Sequence, residues 1–503
     1  MLIQPEREAF EDAYAAGRAQ VMWRRMLGDL ETPVSAMLKL GHGEAMSVLF
    51  DSVEGGAVRG RYSFIGLWPD AIWRARDGQA EINDRPGEDP DAFRPAGTDV
   101  LGSLRQFVQD SRIDLPEDVP PTGAGILGYM GYDVVRLVEP RLGPARHAGL
   151  GVPDGLFMRP TVMVIFDSVT DLVTIVTPVR PASEVSASAA YAAAEARIAR
   201  VIDRLAQPLP AQKPAGAAAF DRGQVTSNTP KERYIEMVEA AKRYIAAGDI
   251  FQAVLSQRFS LPFPLEPITL YRALRHTNPS PFMFLLNLGG FAIVGSSPEI
   301  LVRLRHGNVE VRPIAGTRPR GATPEEDRAL AADLLADRKE LAEHLMLLDL
   351  GRNDVGRVAA TGTVEVTERN IVERYSHVMH IVSNVRGRIR DGADAIDALL
   401  AGFPAGTVSG APKVRAMEII DELEADKRGI YAGGIGYFSA DGSMDSCIAL
   451  RTAVVKDGVI HIQAGAGIVA DSVPEREHDE CRHKAEALVK AAEAALELEA
   501  NDG

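Results

Sequence analysis

QAGAGIVADSVPEREHDECRHK, residues 463–484, is the stretch on which the reading of this chain turns. Residues 459–463 alternate as a strand does, and Gly465 and Gly467 then remove side chains from the backbone, letting N–H groups approach a ligand closely. Pro474 followed by Glu475 opens a helix in the usual order, proline first and acid next. Along that helix Glu477, Glu480 and Lys484 fall at i, i+3 and i+7, so all share one face. Carboxylates on one face repel unless a cation sits between them, and a lysine beside them can take an anion. The layout suits a hard divalent metal and a carboxylate substrate, with backbone donors alongside.

A second helix repeats the arrangement. DRKELAEH, residues 337–344, places Glu340 and Glu343 at i, i+3 ahead of the apolar run 345–348. A single E-x-x-E pair is common on solvated helix faces. Two pairs, one beside a glycine-rich turn, point to a site. Magnesium takes few protein carboxylates and keeps positions for water and substrate oxygens, which fits this spacing.

The composition bounds the rest. At 503 residues the length allows about three domains, or one large domain with extensions. An apolar fraction of 46% supplies an ordinary globular core, and a net charge of −15 argues against nucleic acid or an anionic membrane as partner. Cys447 and Cys481, the only cysteines, exclude a disulfide framework and a cysteine-based zinc site. No apolar run approaches the length of a membrane span, and MLIQPEREAFEDAY lacks the basic and apolar regions of a signal. A soluble, cytoplasmic protein is expected.

Working outward, residues 5–30 read as an amphipathic helix, and residues 34–40 and 45–50 as short strands. Turn punctuation recurs at Asp77-Gly78, residues 167–171, His306-Gly307-Asn308 and Asp457-Gly458, which argues for antiparallel hairpins. Residues 183–205 have helical, alanine-rich spacing and run into PLPAQKPAGAAAFDRGQ, the best boundary candidate. A capped helix then spans residues 229–247 and closes at Gly248. Without regular βα units, the pattern predicts an α+β fold: a large antiparallel, sandwich-like sheet core with helices packed outside. GAGIVA at 465–470 fits G-x-G-x-x-A, but residues 471–474 separate the glycines from the helix, so dinucleotide binding is set aside.

Further stretches carry chemistry. Glu299 ends the apolar strand FAIVG through SSPE, and a carboxyl at the end of a buried strand tends to hold its proton and act as a general acid. His380 sits among Val378, Met379, Ile381 and Val382, a setting more typical of a core histidine, and His377 competes with it for any proton-transfer role. FPAGTVSGAPK, residues 403–413, suits backbone recognition of an anion without matching the P-loop pattern. Arg451 lies within an apparent strand, CIALRTAVV, where an inward arginine usually has a carboxylate partner. Tyr431 offers either a hydroxyl to a ligand or a packing ring.

Together these stretches resemble the chorismate-utilising enzymes, and among them the large subunits of anthranilate synthases. The resemblance is carried, in order, by AGDIFQAVLSQ, NPSPFMFLL, GSSPE, PIAGTRPRG, ELAEHLMLLDLGRND, YSHVMHIVS, FPAGTVSGAPK, YAGGIGY, ALRTAV and QAGAGIVADSVPE, with LFDSVEGG and GRYSFIG extending it toward the N-terminus. It implies Glu343 and Glu480 as magnesium ligands, supported by Glu340 and Glu477. It implies Gly316, Thr317, Thr407, Tyr431, Arg451, Gly465, Ala466, Gly467 and Lys484 as chorismate-binding residues. It makes Glu299 the acid that protonates the departing C4 hydroxyl and His380, in preference to His377, the base that takes the C2 proton as pyruvate leaves.

Two positions separate branches of the family. Gln252 stands where members that add water resemble one another in carrying a lysine base, and Ala315 where enzymes making 4-amino-4-deoxychorismate carry an attacking lysine. Both imply direct addition of ammonia at C2 and hence anthranilate. The alternatives are an aminodeoxychorismate synthase component I, an isochorismate or salicylate synthase, and a catalytically silent subunit that binds chorismate or tryptophan. The N-terminal match implies feedback inhibition at a tryptophan site formed by Ser52, Pro281, Phe282 and Met283, with Asp51 in place of the usual glutamate and Phe282 in place of the usual tyrosine. It divides the chain into a regulatory region, 1–180, a helix and connector, 181–228, and a catalytic domain, 229–495. Neither cysteine lies in a nucleophile elbow, so ammonia is expected from a separate glutamine amidotransferase subunit in a hetero-oligomer, or from solution.

Overall fold

The computed structural model describes residues 2–52, 60–210, 221–375 and 378–502. His377, residues 53–59 of the N-terminal motif and residues 211–220 of the connector lie outside the described residues.

Two long strands, Tyr62–Arg76 and Gly155–Asp167, pair antiparallel and each serves two sheets. Their pairing slips between Pro69 and Ala71, beside Trp68 at φ 50°. Proline cannot donate to the ladder, so a bulge and bend fall there. On one side of the bend the order runs from Tyr62–Arg76 through Met46–Asp51, Phe282–Leu288, Phe291–Ser297, Thr452–Lys456 and Val459–Ile468 to Gln252–Pro262. On the other it runs from Gly155–Asp167 through Gly125–Met130, Gly434–Ser439, Met444–Ile448, Ile300–Arg305 and Asn308–Val311 to Val378–Arg388. Strands from before residue 180 thus pair directly with strands from after residue 229.

The two sheets face each other across one apolar layer. Val48, Phe284, Leu286, Ile293 and Val454 from the first meet Leu127, Tyr129, Ile435 and Cys447 from the second. The opposite face of the first sheet carries Met283 and Leu285 against the helices Pro267–Thr277, Ala187–Leu205 and Pro474–Asp502. The strand FMFLLNL is therefore apolar without alternation because both of its faces are covered. This is the antiparallel sandwich with outer helices that the punctuation predicts.

Local expectations fail where capping or pairing overrides composition. Residues 34–40 form the helix Pro33–Leu40, because Thr32 and Ser35 make a reciprocal capping box and proline occupies the first turn. The helix expected over residues 5–30 stops at Ala15, near Gly17 at φ 73°, and Gln20–Leu27 becomes a strand paired with Leu172–Val179. The helix after the connector is Lys231–Ala246, with Pro230 rather than Thr229 at its N-cap.

Candidate active site

Helix Arg338–Gly356 starts at Asp337, whose carboxylate accepts from the N–H groups of Lys339 and Glu340. Its first turns carry Glu340 and Glu343. Helix Pro474–Asp502 carries Glu477, Glu480 and Lys484 on the face the spacing predicts. The two helices converge on a cavity of about 400 Å³ whose wall includes all five side chains, together with Gln252, Ala315, Thr407 and Gly467. Burial first, then the neighbouring charges of Glu340 and Glu480, raise the pKa of Glu343. Burial and then Glu480 raise that of Glu477, although its hydrogen bond with Ser472 opposes this. These carboxylates are under-compensated. Lys484 pairs with Glu480 at 2.7 Å and also donates to the Gly465 carbonyl at 3.0 Å, while Lys339 pairs with Asp471 at 2.9 Å. Among the described residues no three acidic, histidine or cysteine side chains form a finished metal cluster. The donor set is two carboxylate pairs facing one space, which fits a hard cation that also takes water or substrate oxygens.

The glycines expected in a loop are in a strand. Val459–Ile468 continues through Gly465, Ala466 and Gly467, opposite Ser256, Leu255 and Val254. The pairing partner overrides the local preference of glycine for turns. Side chains are excluded for reasons of space: a Cβ at Gly467 would stand 2.6 Å from Gln252 Nε2, and one at Gly465 2.8 Å from the Tyr431 hydroxyl. Gln252 is buried and its amide reaches toward Glu343 Oε1 at 3.5 Å.

Glu299, His380, Gly316, Thr317, Tyr431, Arg451, Gly465 and Ala466 are not on that cavity's wall. Glu299 lines a smaller adjoining cavity of about 40 Å³ that shares Leu347 and Thr407 with the first. The Thr407 hydroxyl is 3.2 and 3.3 Å from the two Glu299 oxygens. Burial pushes the Glu299 pKa up to about 8, against the smaller opposing effect of Thr407, so the carboxyl keeps its proton at neutral pH.

His380 lies on Val378–Arg388. The pairing of that strand with Ile314–Pro319 slips between Ala315 and Arg318, which takes Gly316 and Thr317 out of the ladder. The freed Gly316 carbonyl accepts from His380 Nδ1 at 2.8 Å, with Thr317 Oγ1 at 3.2 Å. A carbonyl can only accept, so Nδ1 carries the proton and Nε2 is left with its lone pair. Burial lowers the His380 pKa and keeps the ring neutral. This is the protonation state of a general base.

Arg451 is not within a strand. It sits at φ 46° between Met444–Ile448 and Thr452–Lys456, with its backbone carbonyl accepting from Ser296 N at 3.1 Å. Burial lowers its pKa. Among the described residues its guanidinium has no carboxylate partner, contrary to the expectation for an inward arginine. Lys413, in the segment expected to bind an anion, is committed to Asp354 at 2.9 and 3.0 Å. The thiols of Cys447 and Cys481 are buried, and burial pushes Cys481 up to about 12, so neither is a ready nucleophile.

The four residues assigned to tryptophan lie apart from this cavity. Met46–Asp51 pairs with Phe282–Leu288, Asp51 opposite Met283, so Ser52 adjoins Pro281, Phe282 and Met283. Asp51 is internally satisfied by Ser63 at 2.6 Å, Tyr271 at 2.9 Å and Arg275 at 2.7 Å. The residues that sequence reasoning passed over are Glu424 and Arg428, a buried pair behind the cavity. Their i, i+4 spacing just ahead of Tyr431 is the only local signal of them.

Fold and site define a chorismate enzyme: the chain belongs to the chorismate binding enzyme family, which it matches over residues 66–490. It is 57% identical, over 97% of both chains, to the anthranilate synthase component 1 of Cereibacter sphaeroides. It is 48% identical to that of Thermus thermophilus, over 94% of this chain and 97% of the relative. The crystal structure of anthranilate synthase component I from Streptococcus pneumoniae superposes with a TM-score of 0.75 at 36% identity, covering 93% of this chain and 99% of the other. A menaquinone-specific isochorismate synthase from Escherichia coli shares the fold, with a TM-score of 0.69 at 20% identity over 96% of this chain and 99% of that one.

Proposed function

We propose that this chain is the chorismate-converting subunit of an anthranilate synthase, joining chorismate and ammonia to give anthranilate, pyruvate and water. The observation that carries this reading is the cavity wall: Gln252 and Ala315 both line the space between the acidic helices. A glutamine does not deprotonate water, and an alanine does not attack the ring. The lysines that do line the wall, Lys339 and Lys484, are ion-paired. Ammonia therefore adds at C2. Glu299, holding its proton near neutrality, gives it to the departing C4 hydroxyl, which leaves as water. His380 Nε2 then takes the C2 proton as the ring becomes aromatic and pyruvate leaves. Arg451, Tyr431, Thr407 and the Gly465–Gly467 backbone bind the substrate's carboxylates and ring.

Glu343 and Glu480, with Glu340 and Glu477 in support, would hold magnesium, which supplies positive charge to anchor the ring carboxylate. Residues 1–180 contribute Ser52 to a regulatory tryptophan site completed by Pro281, Phe282 and Met283, and residues 229–495 carry the chemistry, with ammonia delivered by a separate amidotransferase subunit in the cytoplasm. Support for that partner comes from the component 1 names of the relatives and from the buried thiols of this chain.

The test is direct. The purified chain with chorismate, magnesium and an ammonium salt is expected to produce anthranilate fluorescence and stoichiometric pyruvate. No turnover would end the enzymatic reading in favour of a silent binding subunit, and 4-amino-4-deoxychorismate as sole product would replace it with the aminodeoxychorismate branch.

A further inference from the structure

Behind the catalytic cavity, and meeting its wall through the Val254 carbonyl, lies an ion pair with almost no exposure. Glu424 and Arg428 have side-chain exposures of 5% and 1%. Arg428 Nε donates to Glu424 Oε2 at 2.9 Å and Nη2 to Glu424 Oε1 at 2.6 Å. The same guanidinium donates through Nη1 to the Val408 carbonyl at 2.7 Å and through Nη2 to the Val254 carbonyl at 2.6 Å. Glu424 Oε1 also accepts from the Ser256 N–H at 2.7 Å and the Ser256 hydroxyl at 2.8 Å. The guanidinium carbon lies 4.8 Å from the Tyr132 ring centre and 5.5 Å from that of Tyr431.

Each of these contacts except that with Tyr132 ends at or beside a residue assigned above to the site. Val408 follows Thr407, the hydrogen-bond partner of Glu299. Val254 and Ser256 belong to the strand that starts at Gln252 and pairs with Gly465, Ala466 and Gly467. Tyr431 brings its hydroxyl against Gly465. Stability alone does not account for such a pair, because well-packed apolar residues in place of a buried ion pair are often as stable. What an apolar pair lacks is the planar fork that fixes two carbonyls from different segments at once.

Granting the reaction proposed above, we infer that Arg428 and Glu424 are positioning residues for its acid step: their fork sets the Val408 carbonyl, and with it Thr407, at the distance where the Thr407 hydroxyl meets Glu299. The same fork holds the strand that floors the cavity. Glu299 keeps its proton because burial excludes water. Releasing the 406–408 turn removes the smaller lowering effect of Thr407 but admits water against the larger effect of burial, so the net shift returns the carboxyl toward its ordinary range.

The test compares Arg428→Lys, Glu424→Gln and the double replacement Arg428→Met with Glu424→Leu, by thermal melting and by ammonia-dependent turnover at saturating ammonia across pH. The single variants leave a buried charge or gap and are the ones at risk of misfolding. The double variant removes both charges together and is expected to fold. In every folded variant kcat is expected to fall about ten- to a hundredfold, with a smaller change in the KM for chorismate. The alkaline limb of kcat is expected to move to lower pH. A folded double variant with the kcat and alkaline limb of the parent would overturn the inference. So would a loss of kcat with an unmoved limb, which marks a general scaffold, or failure of all three variants to fold, which marks a folding element. A parent protein without turnover would bring down the proposed reaction, and this inference with it, before any variant is made.

Discussion

The Arg428–Glu424 cluster and the acidic cavity are two charged regions only a strand apart, and they are finished to different degrees. Around Arg428 the charges and the carbonyls they meet are matched within the chain. In the cavity Glu343 and Glu477 have raised pKa values, with like charge among the causes, and Arg451 nearby has no carboxylate partner among the described residues. Burying a charge without a partner is costly, so a region left in that condition is one whose partner arrives from outside. The cavity wall has an excess of carboxylates that suits a cation, and off that wall, close enough to act on the charge of His380, Arg451 is an unpaired arginine that suits an anion. On the reading proposed above, a metal-held carboxylate substrate would supply both.

The comparison breaks first at the carboxylates. Glu343→Gln and Glu480→Gln are each expected to lower turnover by on the order of a thousandfold, as loss of a central electrostatic contact does. Because the folded pKa of Glu343 is raised, its ionised form costs stability at neutral pH, and Glu343→Gln is expected to melt at or above the parent temperature without metal. Glu424→Gln has the opposite sign: it leaves Arg428 buried and unpaired, at a cost of about 3–5 kcal/mol. Calorimetry of both variants checks the pair of signs. Retained activity with unaltered magnesium dependence in both cavity variants would move the metal elsewhere.

The next largest effect belongs to the base. His380→Ala is expected to reduce kcat by about a hundredfold or more, with little change in KM and with the amino intermediate accumulating ahead of pyruvate. Product analysis by chromatography reads this directly. The same pattern in His377→Ala, and not in His380→Ala, would exchange the two assignments.

In the parent protein Glu299 gives a pH-resolved effect, milder than either replacement. At saturating ammonia, kcat/KM is expected to hold up to about pH 8 and to fall above it as the acid loses its proton. The stability linkage runs the same way. The folded carboxyl retains a proton the unfolded chain releases, so this contribution is present at low pH, declines as pH rises from the ordinary carboxylate range, and is gone above about 8. Glu299→Gln is expected to remove that decline while abolishing the acid step, and melting curves at several pH values separate the two.

The acidic cavity was largely legible because its signals are local. Pro474 starts the helix where proline should, and the spacing of Glu340 with Glu343 and of Glu477 with Glu480 survives intact into the fold. Glu299 was readable from the end of an apolar strand. The glycines of residues 465–467 were misread because the strand that holds them, Gln252–Pro262, is remote in sequence. Arg451 was misread because its left-handed backbone breaks a stretch whose composition is that of a strand. The Arg428 cluster was invisible because its carbonyl acceptors lie 20 and 174 residues away, and backbone carbonyls leave no trace in composition.

The smallest effect on uninhibited turnover is expected at Ser52. Ser52 and residues 281–283 are remote in sequence. In the fold they already adjoin, through the pairing of Met46–Asp51 with Phe282–Leu288, and Asp51 is fixed by Tyr271 and Arg275. Tryptophan bound there would therefore act on a preformed pair of strand ends rather than close a gap. Its route to the site would be the next strand, Phe291–Ser297, which pairs with Phe282–Leu288 and leads into Glu299. A shift of that strand would displace the acid, so tryptophan should raise the apparent requirement for chorismate, and saturating chorismate should weaken tryptophan by the same factor, about 5- to 150-fold for a typical coupling. Ser52→Phe is expected to relieve inhibition and leave the uninhibited rate nearly unchanged. Titration calorimetry of tryptophan with and without chorismate and magnesium decides the matter: identical affinities would mean that these strand ends are structural and that no coupling runs along them.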